Sequence, residues 1–150
     1  MSKTVLIIDD SVEISALLEN HLVSRGFTVF TAFDGRAGVE MARKCHPDVI
    51  TMDFNMPGAN GVQVYRKLRQ SPETSVIPIV FLSSTVTGLI RRMVTESPLV
   101  RFVKKLTELT EIEKIITEMA NLPKTAPPPP LPEAISKGQS SEEDDLLWGK

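Results

Sequence analysis

The sequence predicts an α/β domain in which helices cover both faces of a five-stranded parallel sheet. Two observations support this fold class: apolar runs of strand length alternate with segments of helical period, and the runs are continuous in Val, Ile and Leu. Strands that alternate with single helices form βαβ units, whose right-handed crossovers produce a parallel sheet. Strands inside such a sheet are buried on both faces, so their sequences need not alternate apolar with polar residues. We therefore expect a three-layer (βα)5 domain.

The elements follow one another along the first 121 residues. Strands are predicted over residues 3–9, 27–32, 48–53, 77–83 and 99–105. Helices are predicted over residues 12–25, 35–45, 61–71, 86–96 and 108–121. Ser11 and Asp34 are candidate N-caps of the first two helices, because short polar side chains accept hydrogen bonds from free backbone N–H groups. Gly26 is expected to end the first helix in a left-handed conformation.

The composition changes after residue 121, so we expect a domain over residues 1–121 and a tail over residues 122–150. The start of the tail is rich in proline, which excludes a helix and predicts an extended spacer. The polar and acidic stretch over residues 136–145 is predicted to be disordered. Leu146-Leu147-Trp148 follows it and has two interpretations: a linker that continues into another domain, or a short docking motif that folds on a partner.

The bulk composition excludes several classes of protein. A net charge of −2 gives no reason to expect affinity for nucleic acid. Cys45 is the single cysteine, so an internal disulfide is excluded and a reducing compartment is favoured. No apolar run approaches the roughly 20 residues of a membrane helix, and no signal peptide opens the chain. We therefore expect a cytoplasmic protein with no membrane partner.

Ionisable and hydroxyl side chains stand at the carboxyl ends of four predicted strands. Asp9-Asp10 ends the first strand, Asp53 the third, Ser83 the fourth and Lys104-Lys105 the fifth. The carboxyl ends of parallel strands lie along one edge of a sheet, where ligands bind in this fold class. Residues that are distant in the sequence are therefore expected to meet at one site.

Three carboxylates at one edge require a counter-ion. Asp9, Asp10 and Asp53 would repel one another, and at least one would be driven toward protonation. Carboxylate oxygens with a backbone carbonyl and water suit Mg²⁺, whereas the lack of imidazole or thiolate in the pattern argues against zinc. The alternative is that Asp9 or Asp10 only caps the first helix. An aspartate beside Mg²⁺ can also attack phosphorus and form an aspartyl phosphate, and nearby hydroxyl and ammonium groups can bind the phosphoryl oxygens.

Three segments resemble the receiver domain of two-component response regulators. They are Ile7-Ile8-Asp9-Asp10, Asp53-x-x-Met56-Pro57-x-x-x-Gly61 and Pro78-Ile79-Val80-Phe81-Leu82-Ser83-Ser84. The resemblance covers about residues 3–121 and implies a flavodoxin-like, doubly wound sheet of strand order 2-1-3-4-5. It also implies that a sensor histidine kinase or His-phosphotransfer protein phosphorylates Asp53.

The resemblance gives each site residue a role. Asp53 matches the phosphoacceptor, which also touches the metal. Asp10 matches the direct Mg²⁺ ligand and Asp9 its water-mediated neighbour. Asn55 matches the position whose backbone carbonyl completes the metal shell, and Ser83 matches the hydroxyl that moves toward the phosphoryl group.

The family's active-site lysine has two candidates here. The spacing from Ser83 favours Lys105, and strand alternation turns Lys104 toward solvent. The same spacing places the family's switch aromatic at Phe102, which lacks the usual hydroxyl. Leu106 stands where the family usually has proline.

A basic interaction face is expected near the fifth strand. The resemblance implies that this face changes after phosphorylation; its expected residues are Arg91, Arg92, Arg101 and Lys104. One interpretation is an ordinary solvated surface. The other is a docking site for an acidic partner or for the chain's own acidic tail.

The favoured function is therefore a phosphorylation-dependent signalling receiver, and not an enzyme. It would act on a downstream output protein or on a C-terminal output domain that is missing from this sequence. One alternative is a phosphorylation-independent adaptor. A Mg²⁺-dependent phosphatase-like enzyme is less favoured, because such enzymes commonly place a second aspartate two residues after the nucleophile, where this chain has Asn55.

Overall fold

A computed structural model describes residues 2–54, 56, 61–83, 98–105 and 107–122, and in these ranges the chain forms a five-stranded parallel sheet flanked by helices. The strands are β1 (Thr4–Ile8), β2 (Thr28–Ala32), β3 (Val49–Asp53), β4 (Ile79–Ser83) and β5 (Val100–Lys104). The helices in these ranges are α1 (Val12–Ser24), α2 (Gly35–Cys45), α3 (Gly61–Gln70) and α4 (Leu109–Ala120). The predicted helix over residues 86–96 and the tail beyond residue 122 lie outside the described residues.

The sheet has the order β2-β1-β3-β4-β5, and all four neighbouring pairs are parallel. This confirms the predicted fold class and strand order. The observed strands are one or two residues shorter than predicted. At β4 the reason is local: Ile77 donates its N–H to Thr74 O in the preceding turn at 3.3 Å, and Pro78 has no N–H to give.

Alternating residues of the central strands fill two separate cores. On β1, Leu6 and Ile8 belong to one cluster, which α2 and α3 cover, whereas Val5 and Ile7 belong to the other, beneath α1 and α4. Every residue of β3 and β4 is buried, as expected for strands covered on both faces. The edge strand β2 differs, because Phe30 remains 38% exposed. Only β3 and β4 meet the expectation of complete burial.

The predicted helix boundaries rest on the expected local contacts. Ser11 Oγ accepts a hydrogen bond from the Ile14 N–H at 3.3 Å, and Asp34 Oδ1 accepts one from the Ala37 N–H at 2.8 Å. Gly26 follows α1 with a φ of 95°, a value that favours glycine because it has no Cβ. These contacts start α1 directly after the acidic end of β1. Among the described residues, no helix combines the length and apolarity needed to cross a membrane.

Candidate functional site

The three candidate carboxylates meet at one edge of the sheet. Asp53 is the last residue of β3, and Asp9 directly follows β1, its neighbour in the sheet. One carboxylate oxygen from each of Asp9, Asp10 and Asp53 lies within 4.8 Å of the others. Asp9 and Asp53 are 1% and 4% exposed, whereas Asp10 faces solvent. The site is therefore a pair of buried carboxylates with an exposed third at its mouth.

Lys105 supplies the positive charge that faces these carboxylates. Its Nζ donates a hydrogen bond to Asp53 Oδ2 at 2.9 Å and lies 3.5 Å from Asp9 Oδ2. The Lys105 backbone N–H donates to Ser83 O at 3.0 Å, which fixes the residue against the end of β4. Lys104 is exposed. The structure thus places Lys105, and not Lys104, beside Asp53.

The electrostatics of the site disfavour a fully ionised cluster. Burial raises the pKa of Asp9, and the Asp53 and Asp10 charges act in the same direction. Two contacts oppose this rise: the Ser11 N–H, which donates to Asp9 Oδ1 at 2.9 Å, and the Lys105 charge. The opposing contacts are too weak to restore the ordinary pKa. Asp9 therefore holds its proton more tightly than a solvated aspartate does.

The same cluster also raises the pKa of Lys105, which favours the charged form of this side chain. Burial alone would lower its pKa, but the hydrogen bond to Asp53 and the charges of Asp9 and Asp53 outweigh that effect. The result is a raised pKa and an ammonium that stays protonated at neutral pH. In the part of the chain that the structure describes, this ammonium is the one cation that contacts Asp9 and Asp53.

The residues fit a hard divalent cation. Asp9 Oδ2 is buried and has no hydrogen-bond partner among the described residues, although Lys105 Nζ approaches it. A buried carboxylate oxygen without a hydrogen bond is costly, and a cation beside it would remove that cost. Mg²⁺ prefers one or two carboxylates and keeps several waters, which suits a cluster with one exposed member. Asn55, the expected carbonyl ligand, lies outside the described residues.

Ser83 and Phe102 lie on β4 and β5, the two strands beyond β3 in the sheet order. Ser83 ends β4 and is completely buried. Phe102 on β5 is directly beside Phe81 in the strand register and packs, half-buried, against the core on the α2 and α3 side. Two residues of the expected interaction face, Arg101 and Lys104, are exposed. Arg101 Nη1 lies 3.6 Å from Oε2 of Glu118 on α4. Arg91 and Arg92 lie outside the described residues.

Two supporting contacts were not expected from the sequence. The first is the Ser11 N–H bond to Asp9; an aspartate two residues before a helix cap is a known turn pattern that would have suggested it. The second is the packing of Phe54 edge-to-face on Phe81, with ring centroids 5.4 Å apart. The Gly61 N–H donates to Phe54 O at 2.8 Å. Both ends of the segment that follows Asp53 are thereby held.

Comparisons with known proteins agree with this geometry. The family model described as the response regulator receiver domain matches residues 5–117. Protein PilH of Pseudomonas aeruginosa is 42% identical over an alignment of 84 residues, and the match covers 53% of this chain and 66% of PilH. Response regulator PleD of Caulobacter vibrioides is 39% identical over 84 residues, 56% of this chain and 18% of PleD. The matches therefore span less than two thirds of either relative.

A solved structure shows the same architecture. The chemotaxis protein CheY4 of Vibrio cholerae superposes with a TM-score of 0.73 at 25% sequence identity. The match covers 79% of this chain and 99% of CheY4.

Proposed function

Since this chain belongs to the family of response regulator receiver domains, we propose that it is a signalling receiver that accepts a phosphoryl group on Asp53. The observation that carries this proposal is the position of the Asp53 carboxylate. It lies at the carboxyl edge of the sheet, 2.9 Å from Lys105 Nζ and within 4.8 Å of oxygens from two further aspartates. This arrangement supports Asp53 as the nucleophile, with Lys105 as the group that would hold a phosphoryl oxygen.

The proposed reaction is a transfer from a phosphohistidine. A carboxylate oxygen of Asp53 attacks phosphorus, an O–P bond forms, the P–N bond breaks, and the electron pair leaves with the imidazole nitrogen. Lys105, which is protonated at neutral pH, hydrogen-bonds a phosphoryl oxygen in place of Asp53 Oδ2. Positioning and charge neutralisation are the main requirements of such a transfer, and the Lys105 contact provides part of both.

We propose Mg²⁺ as the cofactor of this site. Asp10 and Asp53 would bind it directly, Asp9 through water, and Asn55 through its backbone carbonyl. When bound, Mg²⁺ neutralises negative charge on a phosphoryl oxygen and on the attacking carboxylate. Asp9 Oδ2 has no hydrogen-bond partner among the described residues, and the pKa of Asp9 is raised. Both observations support this assignment, because a bound cation would stabilise the ionised carboxylate.

The proposed switch uses Ser83 and Phe102. Ser83 would turn its hydroxyl toward the phosphoryl group, and Phe102 would move into the space that this releases. The two residues lie on neighbouring strands, and Phe102 is half-buried, so a move toward the core would lower its exposure. Hydrogen exchange of the β5 amides, measured with and without phosphorylation in the parent and in Ser83→Ala, tests this step; a response unchanged by Ser83→Ala contradicts it.

The proposed partners follow from the same chemistry. A sensor histidine kinase or His-phosphotransfer protein supplies the phosphoryl group. The output is a separate protein or a C-terminal domain beyond this sequence, contacted through the face with Arg91, Arg92, Arg101 and Lys104. Exposure of Arg101 and Lys104 supports this choice of face.

Incubation with acetyl phosphate and Mg²⁺ tests the proposal without a known kinase. Intact-mass analysis of the parent is expected to show the gain of one phosphoryl group, sensitive to alkali as an acyl phosphate is. Asp53→Asn is expected to lose the gain. Asp34→Asn is the matched control, because Asp34 is an exposed acid that caps α2, and asparagine caps equally well.

Each other outcome has a defined meaning. A parent that stays unmodified while its circular dichroism shows an intact fold contradicts phosphoryl acceptance and favours a phosphorylation-independent adaptor. Equal modification of Asp53→Asn contradicts the choice of acceptor.

A further inference from the structure

A groove between α1 and α4 opens beside the carboxylate site. Its volume is about 440 Å³, and its lining among the described residues is leucine and isoleucine except for Lys105 and Thr107. Leu18, Leu82 and Ile112 form its floor and belong to the core beneath the two helices. We call this cavity the α1/α4 groove.

The groove has an exposed apolar wall. Leu17 lines it and is 61% exposed. Sites that take up a ligand of several rings have volumes of about 300–1,000 Å³ and mostly apolar linings, and the α1/α4 groove meets both conditions. It therefore has room for an indole ring together with a neighbouring aliphatic side chain.

We propose that the α1/α4 groove holds the Leu146-Leu147-Trp148 segment of the chain's own tail. After residue 122 this triplet is the only run of three large apolar residues, and it contains the only tryptophan of the chain. It directly follows four consecutive acidic residues. Burial of a large aromatic side chain contributes more binding free energy than burial of a smaller one. This triplet is therefore the part of the tail that we expect to bind in the groove. The proposal does not depend on phosphorylation of Asp53.

The tail begins on the correct face and has sufficient reach. Leu122, two residues after the end of α4, packs against the same core that forms the floor of the groove. About 25 residues separate Leu122 from Trp148, and each spans roughly 3 Å in an extended, proline-rich chain. The 12 residues of α4 cover only about 18 Å at 1.5 Å per residue. The tail can therefore return along α4 to the groove without strain.

Because Trp148 is the only tryptophan, its intrinsic fluorescence reports on the proposal directly. In the parent chain at low concentration, the emission maximum is expected to lie at shorter wavelength than in the urea-unfolded chain. The acrylamide quenching constant is expected to be severalfold smaller than in the unfolded chain. Leu17→Arg, which places a charge on the groove wall, is expected to restore both values to those of an exposed indole.

Val23→Arg is the matched control. Val23 is on the same helix and is 53% exposed, but it does not line the groove. Its replacement is expected to leave the emission and the quenching constant unchanged. Both substitutions are at exposed positions, so circular dichroism is expected to show the parent fold in each.

Three results would overturn the proposal. An emission maximum of the folded parent equal to that of the unfolded chain shows that the triplet is not buried. A blue-shifted emission that depends on protein concentration identifies a second copy as the occupant. A blue shift that survives Leu17→Arg places the tryptophan elsewhere on the protein.

Discussion

At the scale of single residues, Asp9 makes the stability of this protein depend on pH. Burial raises its pKa in the folded state. The folded protein therefore binds this proton more tightly than the unfolded chain does. The associated stability is present below the unfolded pKa, near 4, and is lost as the pH rises through the folded pKa. At neutral pH without a metal, Asp9 is a cost to folding.

We predict that Asp9→Asn raises the free energy of unfolding at pH 7 in metal-free buffer by an amount on the order of 1 kcal/mol. Asparagine keeps an oxygen for the Ser11 N–H but removes the buried charge. The gain is expected to disappear at pH values below about 4, where Asp9 is protonated in both states. Urea unfolding at the two pH values measures this. Asp10→Asn is the control, because Asp10 is exposed, and its effect is expected to be smaller.

Lys105 stabilises the folded state at neutral pH, whereas Asp9 destabilises it. Its pKa is raised, so its contribution to stability is complete at neutral pH and is lost only as the pH rises above about 10. We predict that Lys105→Met lowers the free energy of unfolding in metal-free buffer by about 1–2 kcal/mol, because Asp53 loses a charged hydrogen bond. Lys104→Met, at the exposed neighbouring position, is expected to stay within about 0.5 kcal/mol of the parent. Equal changes in the free energy of unfolding for Lys105→Met and Lys104→Met would contradict the assignment of Lys105 as the partner of Asp53.

At the scale of elements, a glycine allows α2 to lie close to β1. A Cβ at Gly38 would lie 2.5 Å from Ile8 Cδ1 and 2.9 Å from Ile8 Cγ1. Ile8 is completely buried, so it has little space into which it can move. The helix therefore approaches the strand through a position that requires glycine.

We predict that Gly38→Ala destabilises the protein by about 1–3 kcal/mol, although alanine is the better helix former by about 1 kcal/mol. Ile8→Val removes the methyl group nearest to the added Cβ. The double variant Gly38→Ala/Ile8→Val is expected to lose less free energy of unfolding than the two single variants lose together. The difference is expected to be at least about 0.5 kcal/mol. Additive free energies from denaturant unfolding would contradict the steric explanation.

At the scale of the whole molecule, the proposed Mg²⁺ site would link folding to Mg²⁺ binding. A ligand that binds only the folded state stabilises it in proportion to the logarithm of its concentration above the Kd. We predict that Mg²⁺ raises the Tm of the parent in this manner and that Asp10→Asn loses most of the rise. Thermal unfolding over a Mg²⁺ titration, with NaCl at matched ionic strength as the control, measures it. An identical response of parent and variant would show general charge screening.

The sequence predicted the fold well because its signals are local. Apolar runs, the Ser11 and Asp34 caps and Gly26 each determine a boundary without help from distant residues, and parallel strand ends then bring Asp9 and Asp53 together. The exposure of Phe30 was missed, because an apolar run does not show whether its strand lies at the edge of the sheet. The α1/α4 groove was also missed, since it depends on how two helices distant in sequence pack.

The most direct test of the central claim identifies the phosphorylated residue in the parent chain itself. Borohydride reduces an aspartyl phosphate to homoserine, which peptide mass spectrometry can locate after treatment with acetyl phosphate and Mg²⁺. The geometry of Asp53 and Lys105 predicts homoserine at position 53, and only when Mg²⁺ is present. Homoserine at position 9 or 10, or none in a folded and treated protein, would contradict the claim that Asp53 is the phosphoacceptor.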